Sequence, residues 1–310
     1  MTPSRTVQIA IAFAIVYLVW GSTYLAIRVG VQDLPPWLFA GVRFLAAAAL
    51  MLAWAWLRGA RLPAARRDWL TITVTSLLML VGGNGLVTWS EQWVESNQAA
   101  LIVATSALWL AWIGTWGARG EGLNRLTLLG LGLGFGGVAV LVQSGLSLQV
   151  APPAAYAALS LAPLTWAAGS VWSRRAPVSC PPVMTAALQM LVAGVVMTAA
   201  GLALGERARW TPTPESLAAL AYLVVFGSCL AYGAYLWLVH EVPPARLGTY
   251  AYVNPAVAVV LGWWLLDEHL NTTQVAGTVV ILAGVLLVTW ASRKPRPIVS
   301  REDTKTTKNP

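Results

Sequence analysis

Charge is scarce in this chain. Of its 310 residues only 10% are Asp, Glu, Lys or Arg, while 57% are hydrophobic. A soluble domain carries about 25% charged residues, so a water-solvated surface around a core of this size is excluded. Cysteine is nearly absent as well: Cys180 and Cys229 fit neither a disulfide framework nor a thiolate metal site. Neither His240 nor His269 has a Cys or His neighbour at ligand spacing, so no metal site is expected. There is no Walker lysine motif, no His-Glu-x-x-His and no pair of carboxylates deep in an apolar run. ATP-driven pumping and metalloprotease chemistry therefore have no residues to run on, and no cofactor is expected. The net charge of +8 does not imply nucleic acid as a partner. The basic residues are scattered between apolar runs, with one cluster near the C-terminus, and form no contiguous phosphate-binding stripe.

What the chain does have is apolar length. Mean hydropathy is +0.66, and the apolar residues fall in blocks of about twenty, the length a helix needs to cross about 30 Å of hydrocarbon. The blocks lie at 7–27, 35–57, 69–89, 98–116 and 126–143, then, after a polar, proline-bearing break at 144–153, at 154–173, 183–204, 217–239, 246–266 and 273–290. Many of the 17 tryptophans stand near block ends, where amphipathic rings favour the interface. The first block resembles a secretory signal, but it runs on through Trp20 and Tyr24 with no small-residue cleavage site. It is read as a retained span. The expectation is an all-α membrane protein: ten transmembrane helices in a compact up-and-down bundle within a lipid bilayer.

Lys and Arg placement orients it, because cytoplasmic loops carry the excess. With the N-terminus inside, the inner loops hold Arg5, Arg58, Arg61, Arg66, Arg67, Arg119, Arg125, Arg174, Arg175 and Arg246. The tail cluster from Arg293 to Lys308 joins them. The outer loops hold Arg207 and Arg209, with Arg28 near the outer interface. Both termini are expected in the cytoplasm of a bacterial inner-membrane protein.

The two halves resemble each other. Trp20 and Trp166 are 146 positions apart, and the same shift pairs Arg28 with Arg174, Pro35-Pro36 with Pro181-Pro182, Met51 with Met197 and Gly59 with Gly205. Later the shift becomes 147: Glu121 with Glu268, Leu123-Asn124 with Leu270-Asn271, Gly130 with Gly277, Gly137 with Gly284. The domains are read as 1–146 and 147–292, five spans each, with a disordered basic tail at 293–310. An odd number of spans makes the second copy enter from the opposite side. Such inverted repeats are common in secondary transporters, with the substrate site near the midplane between the halves. Trp20 and Trp166 each lie about a dozen residues into their spans, which at about 1.5 Å per residue puts both near the bilayer centre.

Five stretches carry a likeness to a known family: Trp20-Gly21-Ser22-Thr23-Tyr24; Gly41-Val42-Arg43-Phe44-Leu45; Gly83-Asn84-Gly85 with Glu91; Gly169-Ser170-Val171; and Tyr250-Ala251-Tyr252-Val253-Asn254-Pro255. In order and spacing they resemble the drug/metabolite transporter superfamily, in its EamA branch, and its YedA-like inner-membrane proteins. The resemblance covers residues 7 to 290. It implies a ten-helix inverted-repeat fold and export of metabolites, amino acids or toxic compounds. One departure is Ala107, where the fourth span of many relatives has proline, so a hinge of paired prolines with Pro255 does not carry over.

Polar groups inside a span are costly and usually face a cavity or a partner. Arg43 is the charged side chain well inside a span. It is either a counter-charge for a carboxylate-bearing solute, a structural ion pair, or a guanidinium snorkelling to the headgroups. Asn84, Thr88 and Glu91, at i, i+4 and i+7, share one helical face that is expected to line the outer half of a pathway. Glu91 is expected near the outer interface at a depth similar to Arg43, paired with it or solvated. Tyr17, Trp20 and Tyr24 form a stripe at i, i+3 and i+7, an aromatic wall or a packing face. Tyr250 and Asn254 share a face of the ninth span beside Pro255, whose missing N–H frees a carbonyl that needs a partner or a water-lined cavity. Trp109, Trp112 and Trp116 read as aromatic belt. The glycines from Gly130 to Gly137 are expected to let the fifth span pack closely on a neighbour, and the tenth span has Gly277 and Gly284; the family resemblance implies a structural or dimer-facing role for them.

The function read from this pattern is a secondary transporter, an exporter or facilitator of small metabolites, amino acids or drug-like compounds, working by alternating access as a monomer or homodimer. The alternative is a membrane-embedded lipid-modifying enzyme, for which His240 with Glu241 is the best catalytic pair on offer. All twelve acidic residues fall at span ends, in loops or in the tail. The expected energetics are therefore facilitated diffusion, or coupling through Glu91 alone. The orientation is checked by fusing a reporter that fluoresces only in the cytoplasm to Pro310. A bright fusion is expected, and a dark but fully expressed one refutes the topology.

Overall fold

The computed structural model describes residues 4–116, 125–147, 151–242, 247–248 and 250–291. Arg119, Glu121, Leu123-Asn124, Arg246 and the basic tail, all singled out above, lie outside the described residues. The described chain is helical, with no strand among its residues. In order the helices are α1 (Arg5–Asp33), α2 (Pro36–Leu57), α3 (Arg66–Ser90), α4 (Ser96–Ile113), α5 (Arg125–Ser147), α6 (Pro153–Arg175), α7 (Pro182–Ala203), α8 (Pro214–Glu241), α9 (Tyr250–Leu266) and α10 (Thr272–Ala291). Among the described residues seven of these, α1 to α4 and α6 to α8, are long and apolar enough to cross a membrane. The other three contribute shorter apolar stretches, Arg125–Val140, Val253–Leu266 and Val275–Gly284.

Helix starts follow local chemistry. Pro36, Pro153, Pro182 and Pro214 each open a helix in its first turn, where the missing N–H costs nothing because that group has no intrahelical acceptor. Thr213 and Ser216 close a capping box at the start of α8, satisfying further orphan donors. Two starts are capped from afar. Glu206 accepts the Leu38 amide at 2.8 Å at the head of α2. Glu268, in the α9–α10 loop, accepts the Ser96 amide at 2.9 Å, the Ser96 hydroxyl at 2.8 Å and the Asn97 amide at 3.1 Å at the head of α4.

Three helices depart from regular winding. Ser76–Gly85 in α3 and Leu223–Tyr232 in α8 are π-helical, and they stand 147 positions apart, the offset seen in the sequence. Wide turns of this kind concentrate at functional sites. Both stretches are tied to Gln189 of α7: its amide donates to the Thr75 hydroxyl at 2.6 Å, and the Tyr232 hydroxyl donates to its carbonyl oxygen at 2.6 Å. The third departure is in α4, expected as an unbroken span over 98–116. It runs Ser96–Ile113 and breaks at Ala104–Thr105, although Ala107 supplies no proline. Tight bonds replace the missing ones: Thr105 N donates to the Ile102 carbonyl at 3.1 Å and Leu108 N to the Thr105 carbonyl at 2.9 Å. The Thr105 hydroxyl adds a bond to Ile102 O at 2.7 Å, the kind of side-chain back-bonding that bends helices.

The longest interfaces join α2 to α7 and α5 to α10. The second is a glycine seam. A Cβ at Gly284 would lie 2.5 Å from Gly134 N and 2.6 Å from Gly130 O, and one at Gly137 would lie 2.7 Å from Ile281 N and 2.8 Å from Gly277 O. Gly132 and Gly136 have nothing near them. The close-packing face of the fifth span is thus taken by α10 of the same chain, while Gly132 and Gly136 point away from it. Trp112 and Trp116 are exposed, as a belt requires, but Trp109 packs on Phe135 of α5 with ring centroids 4.8 Å apart. Replacing Gly284 with Leu is expected to cost about 1–3 kcal/mol by overpacking, read as a lower unfolding midpoint of the purified protein, whereas Gly132→Leu leaves the midpoint unchanged. Equal midpoints for the two variants would refute the seam.

Candidate substrate cavity

The centre of the bundle holds a cavity of about 60 Å³ lined from six helices. Helix α1 gives Trp20, Thr23, Tyr24 and Ile27; α2 gives Arg43; α3 gives Gly83, Asn84 and Val87. Val103 of α4, Ala162 and Trp166 of α6, and Tyr250 and Asn254 of α9 complete it. This space admits a few waters. A site for a drug-sized solute needs about 300 Å³ or more, so the helices must part before one enters.

Its walls are aromatic. Trp20 and Trp166 meet edge to face with centroids 5.3 Å apart, and Tyr235 and Tyr250 stand 4.8 and 5.7 Å from Trp20. The contacts of Trp20 with Trp166 and Tyr250 are edge to face, placing positive rims on negative faces, while the Tyr235 ring is tilted against it. Each polar tip has a partner: Trp20 Nε1 donates to the Gly227 carbonyl at 3.2 Å and Trp166 Nε1 to the Tyr235 hydroxyl at 3.2 Å. The Tyr235 hydroxyl lies 2.9 Å from Ser170 Oγ, and the Tyr250 hydroxyl lies 3.1 Å from Ser106 Oγ. Gly83 makes room for Trp166, since a Cβ there would sit 2.9 Å from the indole edge.

One wall is cationic. Arg43 is 3% exposed, donates from Nε to Ser228 Oγ at 2.9 Å and from Nη1 to Asn84 Oδ1 at 3.2 Å, and lies over the Phe44 ring at 4.9 Å. Among the described residues no carboxylate is within ion-pair distance of it. These neutral acceptors hold the guanidinium in place without cancelling its charge, so an anion in the cavity would meet it at low dielectric. The expected pair with Glu91 is not made, and the snorkelling alternative falls with the burial.

Seven of the ten residues singled out from sequence surround the cavity: Trp20, Tyr24, Arg43, Asn84, Trp166, Tyr250 and Asn254. Three do not. Thr88 turns its hydroxyl back onto the Asn84 carbonyl at 2.9 Å, so it spends its polar group on its own helix. Tyr17 lies one turn before Trp20 and packs on Phe13 at 5.4 Å, and the Asn254 amide, oriented to satisfy it, donates to the Tyr17 and Tyr250 carbonyls at 3.2 and 3.3 Å. Glu91, expected near the outer interface and either paired with Arg43 or solvated, is neither: it is 0% exposed and its carboxylate oxygens have no hydrogen-bond partner among the described residues. Thr23, Ile27 and Val87 were missed, although each stands three residues beyond a residue chosen for the same face: Trp20, Tyr24 and Asn84. Tyr235 was missed too, and the 147 offset that carries Thr88 onto it was the available signal.

Beyond the cavity an acidic cluster gathers where the end of α3 turns into the start of α4. Arg28 of α1 donates to the Glu91 carbonyl, and Glu268 reaches in from the α9–α10 loop. Glu95, in the loop between α3 and α4, has its carboxyl pushed above the ordinary carboxylate range, first by burial and then by the negative charge of Glu268.

The profile of the EamA-like transporter family matches residues 8–143 and 153–290. The uncharacterized inner membrane transporter YedA of Escherichia coli is 41% identical over 276 residues, covering 88% of each chain. An uncharacterized transporter of Archaeoglobus fulgidus is 25% identical over 280 residues, covering 89% of this chain and 95% of its own. A solved crystal structure superposes with a TM-score of 0.70 at 22% identity, over 94% of this chain and all of the other, a likeness of fold. Removing the carboxylate that caps α4, as Glu268→Ala, is expected to destabilise the protein by about 1.5–3 kcal/mol, the worth of hydrogen bonds to a charged group. Thermal unfolding of the purified variant, set beside Glu268→Gln, which keeps one acceptor, checks it. An unchanged midpoint for both would refute the capping role.

Proposed function

The chain belongs to the EamA-like transporter family, and from that premise we propose that it is a secondary transporter that moves a small planar or apolar carboxylate by alternating access. It is a multi-pass inner-membrane transporter; the substrate class and mechanism are the proposal. The reading takes α1 to α5 and α6 to α10 as two inverted five-helix repeats, ten spans in all, with both termini in the cytoplasm. Two similar halves inserted in opposite senses have two near-equivalent arrangements, one open to each face. Export or facilitated movement of a metabolite, amino acid or drug-like compound fits that scheme.

The observation that carries it is the meeting of Trp20 with Trp166. These residues are 146 positions apart, belong to different halves, and form one wall of a cavity that also holds a guanidinium without a carboxylate. Flat rings favour a planar or apolar body, and Arg43 favours an anionic end. The lipid-enzyme alternative has less to stand on. Glu241 is engaged at the end of α8 by Arg5, Nη2 to Oε1 at 2.6 Å, and His240 beside it is not among the residues that line the central cavity.

A thermal-shift screen of carboxylates and their amides on purified protein supplies a solute for counterflow in proteoliposomes. Trp20→Ala and Trp166→Ala are each expected to lower counterflow with near-normal expression and monodispersity. Arg43→Gln is expected to lower it by about 10- to 100-fold for the carboxylate, the loss of a charge-assisted contact, with less effect on the amide. Parental rates in both tryptophan variants would place the pathway elsewhere.

A further inference from the structure

Glu91 is a buried acid with no visible means of support. It is 0% exposed, and among the described residues neither carboxylate oxygen has a hydrogen-bond partner. A few residues on, the side-chain amide of Asn97 is also buried with neither atom partnered. Native proteins leave few such groups, and each calls for a reason. Desolvation makes an unpaired buried carboxylate far more costly than the acid. As an acid, Glu91 is neutral and bears a proton, so the geometry shown suits the protonated form.

The neighbours show what ionisation would do. Helix α1 brings Arg28, which is already bonded to the Glu91 carbonyl, and the phenol of Tyr24. Helix α2 brings Arg43, and the α9–α10 loop brings Glu268. From the same loop as Glu91 comes Glu95, and on α6 the nearby Tyr156 hydroxyl is spent on Gln98. The ionised form therefore has two cations within electrostatic reach, and one of them, Arg43, is the cation of the cavity. Glu91 lies one helical turn beyond Val87, which lines that cavity, on the face that carries Asn84, to which Arg43 is bonded.

We propose that Glu91 is the proton-binding site of the carrier, and that its carboxylate and an anionic solute compete for Arg43. With Glu91 protonated, Arg43 stays on Ser228 and Asn84 and presents its charge to the cavity. Loss of the proton leaves a carboxylate that draws Arg43 away and weakens the hold on the solute. Proton and anion then bind together and leave together, so one carboxylate crosses with one proton and no net charge moves. The coupling rests on the transporter reading above; the proton site itself does not.

Two measurements separate these. In the first, infrared difference spectra of the protein reconstituted in lipid are recorded as pH is raised, following the protonated carboxyl stretch. A band that shifts in heavy water, is missing from Glu91→Gln and is retained in Glu95→Gln is expected. If Glu91→Gln does not fold, Glu91→Asp must move the same band. A carboxylate that stays ionised throughout, as it would around a bound sodium ion, overturns the proposal. In the second, proteoliposomes with an imposed pH gradient, acid outside, are given N-acetyltryptophan, a planar body with one carboxylate. Parental protein is expected to accumulate it above protein-free liposomes, and Glu91→Gln to fall to that blank. Gradient-driven accumulation surviving in Glu91→Gln overturns the coupling. Failure of both proteins to move the probe counts against the cavity reading for this solute, while the infrared band still decides the proton site.

Discussion

Hydrocarbon offers no water to a helix end, and that constraint organises the molecule. Every amide in the first turn of a buried helix needs an acceptor from somewhere. Here two of the acceptors come from distant loops, Glu206 for α2 and Glu268 for α4, while Asp68, in the first turn of α3, accepts the backbone amide and hydroxyl of Ser179 in the segment ahead of α7. Each bond ties a helix start to a segment more than a hundred positions away, and so fixes the depth of one helix against another. The side chains at the centre can then meet with ångström tolerance. Glu268 shows the economy of the arrangement, since one carboxylate satisfies two amides and a hydroxyl.

That alignment brings Trp20 and Trp166 into one wall and sets beside them Tyr235 and Tyr250, whose hydroxyls are bonded to protein groups. The same cavity is polar where Arg43, Asn84 and Asn254 enter it. The glycine seam repeats the logic in apolar terms. Gly137 meets Gly277, and their counterparts at the 147 offset, Gly284 and Gly130, meet each other. Contacts that exchange in this reciprocal manner are what a two-fold relation between similar halves produces, and they support the repeat reading on which the proposed mechanism depends.

How much of this was legible in the sequence depended on the type of signal. Trp20 and Trp166 were legible because an offset paired them and their depth ruled out an interfacial role. Arg43 stood out because a charge deep in an apolar run has no bland place to go. Thr88 was misread for a physical reason: helical spacing gives the face a residue occupies, but a threonine can turn its hydroxyl back onto its own backbone, and spacing does not see that choice. The burial of Glu91 was hidden for another reason. Its span end is clear in the sequence, but the loop carrying Glu268 and the side chain of Arg28 fold over it from remote positions, and burial by distant segments leaves no local trace. The break in α4 was invisible for a similar reason, since Thr105 and tight backbone bonds achieve what proline does elsewhere.

The two wide-turn stretches have a mechanical meaning beyond their role in shaping the cavity. A π turn accommodates one residue more than an α turn, so it behaves as a crease that can be passed along a rope without cutting a strand. Moving it by one residue turns the intervening side chains through about 100°. The crease in α8 contains Gly227, whose carbonyl receives the indole N–H of Trp20, and Ser228, which holds Arg43. Any migration of that crease is geared directly to the ring and to the cation. The winding of one helix therefore sets where the ring and the cation stand in the wall of the cavity.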